Sequence, residues 1–354
     1  MLVEGSGLGT LRLQNIFGCS QRLLLLAILT CAVPLAAART LNVPNAEDLA
    51  LVDGGRWVVA SSMPGGALSQ GGLYAVNVAT GDAHRITPLR DSGLRRDPAC
   101  REPVAAGQLA PHGISTSVAK DGSELLWVVN HGVRESIEIY RISGGKTLGL
   151  SWQGCLLLPA GAMGNAVAVD AQGQVFVTNY GASISGTPKT DRWMGDVLVW
   201  QRGRGWQAVA GSDIFAPNGL LVSTDGQQLY VNSWAAGQVL HLDRATGERQ
   251  TLTLPFLPDN LRWGAAGEIV AAGLYATATE VARCVMASGP CERHIATGAA
   301  LIGVTDFTVK CQRKTPLHMG TVALRVADEL WLGPVRGDAI LALDGRSPAW
   351  DQCR

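Results

Sequence analysis

The chain carries no excess of charge of either sign. Its 354 residues contain 29 Lys and Arg against 29 Asp and Glu, and charged residues make up only 16% of the total. A net charge of zero argues against an extended basic surface of the kind that binds nucleic acids or anionic membranes. With 47% hydrophobic residues, the chain also lies outside the composition of disordered proteins. We therefore expect a globular domain without a nucleic-acid partner.

Several short motifs of enzyme and metal chemistry are also missing. No two cysteines have CxxC or zinc-finger spacing, no GxSxG elbow presents a serine nucleophile, and no Asn-x-Ser/Thr sequon occurs. We therefore expect neither a zinc centre nor an acyl-serine mechanism. No long helical periodicity follows the first 38 residues, which is typical of an all-β protein.

The first 38 residues have the organisation of a secretory signal. Arg12 and Arg22 precede an apolar run at residues 23–35, and three alanines after this run offer a cleavage site. The run is too short to span a bilayer comfortably, which favours a cleaved signal over a transmembrane anchor. We predict a signal peptide over residues 1–38 and a mature domain over residues 39–354, either periplasmic or secreted.

Six cysteines remain once the signal is removed, and an even number in an exported chain predicts disulfides. They are Cys100, Cys155, Cys284, Cys291, Cys311 and Cys353. Cys284 and Cys291 flank a short turn, so they are the easiest local pair to propose. The connectivity of the others stays open, because six cysteines allow many arrangements.

Short β-rich runs alternate with glycine turns along the rest of the chain, which contains 43 glycines. The runs that we predict as the first strands of successive units lie at residues 57–61, 126–130, 175–179, 229–232, 269–272 and 330–332. Several are followed by a loop and a second run, at residues 72–78, 137–142, 196–200 and 238–242. Asp-Gly and Thr-Gly turns recur between them.

Six such units favour a six-bladed β-propeller, because the blades of propellers recur at about this spacing. A β-sandwich or jelly roll would have the same density of strands and is the alternative fold. In a propeller, the innermost strands and their entry loops converge on the central axis. Residues that lie far apart in the sequence could therefore share one site.

Acidic and amide residues occur in short turns beside four of the strand-like runs. They are Glu47 in PNAEDLAL, Asn165 in GNAVAVD, Asn218 in APNGL, and Asp259 and Asn260 in PDNLRW. Oxygen ligands suit a hard cation, and calcium takes about six to eight of them. We therefore predict that these five residues hold one calcium ion. Taken alone, Asn218-Gly219 is typical of a hairpin turn, and Asp259-Asn260 of a loop or cap.

Two histidines add groups that can move protons near neutral pH. His112 lies in APHGIS and His131 in WVVNHG. We predict His112 as the general base, at an ordinary pKa of about 6.5, with His131 orienting it or passing its proton to solvent. Calcium and this pair together predict a hydrolase that needs no covalent nucleophile. Trp263 is a candidate for lining an apolar substrate pocket, although aromatic residues more often pack in the core.

Ordered motifs between about residue 45 and residue 263 resemble the paraoxonase family of arylesterases and lactonases. The motifs are EDLAL, PHGIS, WVVNH with ESIEIY, GNAVAV, VFVTN, APNGL with DGQQLYV, and PDNLRW. More distantly, the chain is similar to gluconolactonases and to senescence-marker-protein-like lactonases. Each motif alone is common, and their order makes the resemblance specific.

The resemblance implies a six-bladed propeller with a catalytic calcium at the bottom of a funnel, held by the five residues named above. It places His112 and His131 at the histidine dyad of the family. It also implies a second, structural calcium, for which Asp48 and the Ile114 carbonyl match two ligands. The sequence departs from the pattern there, because Ala166 stands where an aspartate is expected.

The family also closes its propeller with a disulfide between the chain ends. Cys353 matches the C-terminal half of that bond, while its N-terminal partner is missing from the predicted mature chain. Cys311 or another of the remaining cysteines is the candidate substitute.

We therefore expect an exported calcium-dependent lactonase or arylesterase that acts on a small lactone or ester. A sugar lactonase of the gluconolactonase type is the alternative enzyme, and the two histidines count against it because those enzymes rely mainly on carboxylate and asparagine ligands. A non-catalytic propeller that binds a ligand and uses calcium to lock its blades is a third possibility, since propellers host unrelated functions. Residues 181–196 and 275–311 are the expected specificity loops.

Overall fold

Six small sheets, antiparallel except for one short strand pair at a rim, follow one another along the chain in the computed structural model, which describes residues 38–65, 70–90, 100–181, 194–264 and 267–344. Each sheet is one blade of a propeller, and the innermost strands of neighbouring blades contact one another around a closed ring. The predicted six-bladed β-propeller is confirmed. The predicted signal, through residue 37, lies outside the described residues, as does Cys353.

Every blade runs from an innermost strand at the axis to an outermost strand at the rim. Strand β1 (Arg39–Leu41) precedes blade 1, which contains β2 Ala46–Val52, β3 Trp57–Ser62, β4 Gly72–Asn77 and β5 Ala83–Ile86. Blade 2 contains β6 Leu89–Arg90, β7 Pro111–Val118, β8 Glu124–Asn130, β9 Ser136–Ser143 and β10 Gly149–Leu157. Blade 3 contains β11 Gly164–Val169, β12 Val175–Asn179, β13 Met194–Gln201, β14 Gly205–Ala208 and β15 Ile214–Phe215. Blade 4 contains β16 Pro217–Val222, β17 Gln228–Ser233, β18 Gln238–Asp243 and β19 Arg249–Thr253. Blade 5 contains β20 Leu257–Trp263, β21 Ile269–Leu274, β22 Ala296–Ile302 and β23 Val309–His318. Blade 6 contains β24 Gly320–Val326, β25 Glu329–Pro334 and β26 Ile340–Asp344.

The ring is closed by strand pairing between the two ends of the described chain. Strand β1 pairs antiparallel with β26 and so becomes the outermost strand of blade 6. The Arg39 guanidinium adds a bond to the Glu329 carboxylate of the same blade, at 2.7 Å. This pairing joins segments about 300 residues apart in sequence, so we expect it to stabilise the whole ring by restricting the unfolded chain.

The six runs that the sequence predicted as first strands are the second strands of their blades. They correspond to β3, β8, β12, β17, β21 and β25. Second strands are covered by blades on both faces, so every residue of β3, β12 and β21 is buried, and each of these strands begins with an apolar run. The innermost strands carry polar residues at their starts, so the pattern of apolar runs did not predict these strands.

The core consists of one apolar cluster between each pair of neighbouring blades. Trp127 and Trp331 are almost fully buried in two of these clusters. A seventh cluster lies at one end of the axis, where helix α1 (Ala278–Met286) packs beside Trp234 and Met319. A capping box made by Thr277 and Glu280 begins this helix.

Two disulfides join described cysteines. The predicted local pair Cys284–Cys291 ties the end of α1 to the loop that follows it, and Cys100–Cys155 ties the segment before β7 to β10. Cys311 is also disulfide-bonded. Such bonds are typical of proteins from oxidising compartments. Within the described ranges, no helix is long and apolar enough to cross a bilayer.

Among the described residues, three short 3₁₀ turns connect elements of the blades, at Asp53–Gly55, Ala106–Gln108 and Trp234–Ala236. The last of these turns follows β17 and brings Trp234 to the same end of the axis as α1. The helix and this turn therefore cover one opening of the propeller.

Candidate functional site

A β-bulge interrupts every innermost strand one to three residues after its start. The bulged residues are Glu47, His112 with Gly113, Asn165 with Ala166, Asn218 with Gly219, Asp259 with Asn260, and Thr321. A bulge leaves its residues out of regular pairing and re-aims their side chains, and bulges are common beside active sites. Each of the six blades therefore contributes at least one polar side chain to the same end of the axis.

The five predicted calcium ligands meet at this end. The Asn260 amide donates to Glu47 Oε1 at 2.7 Å, although the two residues are 213 positions apart. Asn218 hydrogen-bonds the Asp259 carboxyl group, and Asn165 lies beside His112 with 3.4 Å between the amide nitrogen and Nε2. The structure therefore brings all five together, from blades 1, 3, 4 and 5.

Two glycines of the motifs permit this convergence. A Cβ atom on Gly113 would lie 2.4 Å from the Asn165 carbonyl oxygen, and one on Gly219 would lie 2.3 Å from that of Asp259. Neighbouring innermost strands could not approach so closely with any side chain there. Asn218-Gly219 is therefore part of a bulged strand, and the hairpin interpretation of that dipeptide is wrong.

Oxygen atoms without hydrogen-bond partners are concentrated in the same place. Among the described residues, the buried unpartnered side-chain oxygens include Glu47 Oε2, Asn165 Oδ1, Asn218 Oδ1 and Asn260 Oδ1. A buried polar atom without a partner costs about 1–3 kcal/mol, so four in one cluster indicate a missing partner. Carboxylate and amide oxygens are the donors of calcium sites. The residues fit a hard cation.

Burial and neighbouring negative charges disfavour the ionised form of the carboxyl groups in this cluster. Burial raises the pKa of Asp259 to about 8, and the nearby Asp48 carboxylate adds to the rise. Burial, followed by Asp48 and Asp259, also raises the pKa of Glu47 well above its usual value. A cation bound among these groups would reverse both shifts, because it favours the ionised carboxylates.

His112, His131 and Glu135 form a continuous hydrogen-bonded chain. His112 Nδ1 lies 2.9 Å from His131 Nε2, and His131 Nδ1 lies 2.9 Å and 3.0 Å from the two Glu135 carboxylate oxygens. A carboxylate only accepts, so His131 Nδ1 donates and its Nε2 accepts from His112. The lone pair of His112 Nε2 then points toward Glu47 and Asn165, 3.7 Å from Glu47 Oε1.

The ordinary pKa that the sequence predicted for His112 is wrong in this environment. Burial, followed by the charge of His131, lowers the pKa of His112 to about 3. An imidazole with so low a pKa does not keep a proton at neutral pH. The His112 imidazole can still relay a proton. When its Nε2 accepts a proton, its Nδ1 proton moves to His131. The proton then rests on His131, beside the Glu135 carboxylate.

The sequence pattern did not indicate a role for Glu135, although this residue lies four positions after His131. For a reaction in which this histidine pair relays a proton, we expect Glu135→Gln to lower kcat about 10- to 100-fold, the usual cost of losing a group that orients an active residue, with little change in KM. The amide can still accept from His131, but it cannot stabilise an imidazolium by charge. Glu102→Gln is the matched control, since Glu102 is an exposed partner of Arg90 on the surface. Equal kcat values for both variants would contradict the role of Glu135.

A cavity of about 1020 Å³, counted with its open mouth, lies directly above these groups. Its floor includes Glu47, His112, Asn165, Asn218, Asp259 and Thr321. Its walls are mostly apolar: Met63, Ala216, Pro217, Trp234, Val281, Ala282, Val285, Met286 and Val335, with Tyr180. Helix α1 supplies four of these walls, so the predicted specificity region at residues 275–311 does line the cavity. Most of the other predicted loop, 181–196, lies outside the described residues.

Trp263 does not line this cavity, so its predicted role in substrate binding is wrong. It is 40% exposed at the end of β20. There it borders a different cavity, formed by the far ends of the innermost strands. Thr321 of the floor and Trp234 of the wall are among the cavity residues that the sequence patterns did not indicate. A short pattern recurs at the start of each innermost strand, in which a small residue or proline precedes a polar residue. Thr321 is the polar residue of the sixth copy, and this repeat is the signal that would have identified it.

The two groups that matched a second calcium are bonded to an arginine. The Arg262 guanidinium contacts Asp48 Oδ1 and donates to the Ile114 carbonyl at 3.1 Å. Its Nε donates to the Leu49 carbonyl at 2.7 Å. A second structural calcium held as the resemblance implies therefore does not fit this chain.

Solved structures with this architecture include gluconolactonases. A gluconolactonase from Xanthomonas campestris has a TM-score of 0.52 at 16% identity, covering 88% of this chain and 90% of that chain. A putative gluconolactonase has a TM-score of 0.52 at 17% identity, with 87% and 91% covered. A luciferin-regenerating enzyme has a TM-score of 0.54 at 12% identity, with 88% and 96% covered.

At these identities the likeness establishes the propeller fold and leaves the chemistry to the site itself. A scan against protein-family models and a search of curated proteins gave no match.

Proposed function

We propose that this chain is an exported calcium-dependent lactonase or arylesterase. The observation that carries the proposal is the cluster of four unpartnered buried oxygens from blades 1, 3, 4 and 5, beside the hydrogen-bonded histidine pair. Glu47, Asn165, Asn218, Asp259 and Asn260 would hold the ion. Calcium bound there would supply the positive charge that polarises the carbonyl of an ester or lactone.

The residues of the chain would activate the attacking water. His112 Nε2 presents a lone pair at the cavity floor and accepts the proton, while its Nδ1 proton passes to His131. Glu135 then stabilises the charged His131 at 2.9 Å. No serine or cysteine nucleophile is required, because the activated water attacks the carbonyl carbon directly.

The cavity walls favour an alkyl or aryl substrate over a sugar lactone. A sugar lactone needs hydrogen-bonding side chains for its hydroxyl groups. The described walls above the cavity floor offer chiefly the Tyr180 hydroxyl and the buried indole N–H of Trp234, which has no partner within the described part of the chain. Val281 and Val285, one helical turn apart on α1, would contact the group attached to the reacting carbonyl.

Hydrolysis of sugar lactones is the second candidate function, and the gluconolactonases among the similar structures favour it. Export is supported by the predicted signal and by the Cys100–Cys155 and Cys284–Cys291 disulfides.

A substrate panel with calcium removed and restored tests the proposal. The panel contains phenyl acetate, alkyl-substituted γ- and δ-lactones, and gluconolactone. We expect turnover of the first two classes, loss of this turnover after chelation, and its return with calcium. Preferential hydrolysis of gluconolactone would favour the second candidate. Absence of any hydrolysis, with a melting temperature that still rises on adding calcium, would favour a non-catalytic binding propeller.

A further inference from the structure

Arg262 brings a positive charge to the propeller axis. It extends from β20 in blade 5 to acceptors in blades 1 and 2: the Asp48 carboxylate, the Leu49 carbonyl and the Ile114 carbonyl. Its side chain is only 14% exposed. One carboxylate oxygen and two carbonyl oxygens from two strands, β2 and β7, thus converge on a single guanidinium, an arrangement that otherwise suits a metal cation.

The Asp48 side chain is surrounded by hydrogen-bond donors. Its side chain accepts from the Leu49 backbone N–H at 2.9 Å and from the Ile114 N–H at 2.8 Å, in addition to the guanidinium. A carboxyl group surrounded by three donors has no acceptor for a proton of its own. Removal of Arg262 would therefore leave a buried, uncompensated negative charge.

The charges along the axis balance with one divalent ion. Glu47, Asp48 and Asp259 are at most 7% exposed. With the three carboxylates ionised and Arg262 charged, two negative charges remain, which one calcium ion neutralises. Without Arg262 the same cluster would carry three.

We propose that the Arg262 guanidinium takes the place of a second metal ion at the axis, so that the chain binds one divalent cation only. The inference rests on the proposed function for the presence of the first ion. It predicts further that removing the guanidinium opens a second cation site, formed by Asp48 with the Leu49 and Ile114 carbonyls.

Calcium stoichiometry tests this directly. Isothermal titration of chelator-stripped protein should give one ion per chain for the wild type and two for Arg262→Met. The double variant Asp48→Asn with Arg262→Met should return to one, because the extra negative charge is gone. Arg336→Met is the matched control and should bind one ion. Arg336 is also buried, but its described bonds go to the carbonyls of Val285 and Gly289 at the end of α1.

Each outcome distinguishes this inference from the proposed function. Two ions on the wild type, or only one on Arg262→Met, would overturn the inference and leave the calcium hydrolase intact. No ion on the wild type would overturn both. If Arg262→Met folds only in excess calcium and then contains two ions, the inference is supported. Arg262→Lys keeps the charge and should contain one ion; two would overturn the inference.

Discussion

Replacing His112 with glutamine is expected to lower kcat about 100- to 10,000-fold, the usual contribution of a general base. Glutamine has nearly the same length and can bond to His131, but it cannot accept a proton from water at neutral pH. Because His112 supplies no oxygen ligand, calcium binding should be retained. The measurement is kcat on the best substrate of the panel, together with calcium affinity and melting temperature for the same preparation.

His241→Gln provides the matched control for this substitution. His241 is a partly buried histidine that stacks on Tyr230 and bonds to Gln228, away from the cavity. The control should keep wild-type kcat. If His112→Gln keeps its activity while it binds calcium normally, then His112 is not the base and another group must activate the water.

Removing calcium is expected to destabilise the protein strongly at pH 8 and much less at pH 5. In the calcium-free fold the pKa of Asp259 is about 8, whereas an aspartate in the unfolded chain has a pKa of about 3.9. As pH rises between these values, the unfolded chain loses a proton that the native state keeps, so the free energy of unfolding falls. The raised pKa of Glu47 acts in the same direction.

Calcium should cancel this loss, because it binds the ionised carboxylates of the native state. At a free concentration 100 times its dissociation constant, the ion would add about 2.7 kcal/mol to the free energy of unfolding. Such a gain corresponds to a rise in melting temperature of roughly 4 °C for a domain of this size. Calorimetry of stripped and calcium-loaded protein at both pH values measures the effect.

Asp259→Asn is the informative variant for this prediction. The amide cannot titrate, so the calcium-free variant should lose less stability between pH 5 and pH 8 than the calcium-free wild type. Its response to calcium should also weaken, since one carboxylate ligand is lost. A calcium-free wild type that is equally stable at both pH values would contradict the assignment of these buried carboxyl groups.

The number of blades could be predicted from the sequence because each blade contains one strand covered on both faces. Such strands, including β3, β12 and β21, begin with apolar runs that the sequence shows clearly. Their position within each blade could not be predicted. The innermost strands begin with bulged polar residues such as Glu47 and Asn218, and those residues interrupt the alternation by which strands are recognised.

The members of the site could be predicted from short motifs, since the polar residues recur at one place in each unit. Their chemistry could not. The low pKa of His112 follows from burial and from the neighbouring His131. The role of Glu135 follows from a hydrogen bond that no spacing rule predicts. Trp263 is the last residue of the PDNLRW motif, yet the direction of β20 places it at the far end of the axis.

Sequence alone was sufficient to predict the blade number, the local Cys284–Cys291 disulfide and most of the polar residues at the cavity floor. These features depend on local pattern and on residues close in the chain. Tertiary structure alone decided which oxygens lack partners, which nitrogen of His112 faces the cavity, and that Arg262 neutralises Asp48. Those properties arise where six distant strands meet, and burial and charge there depend on all six at once.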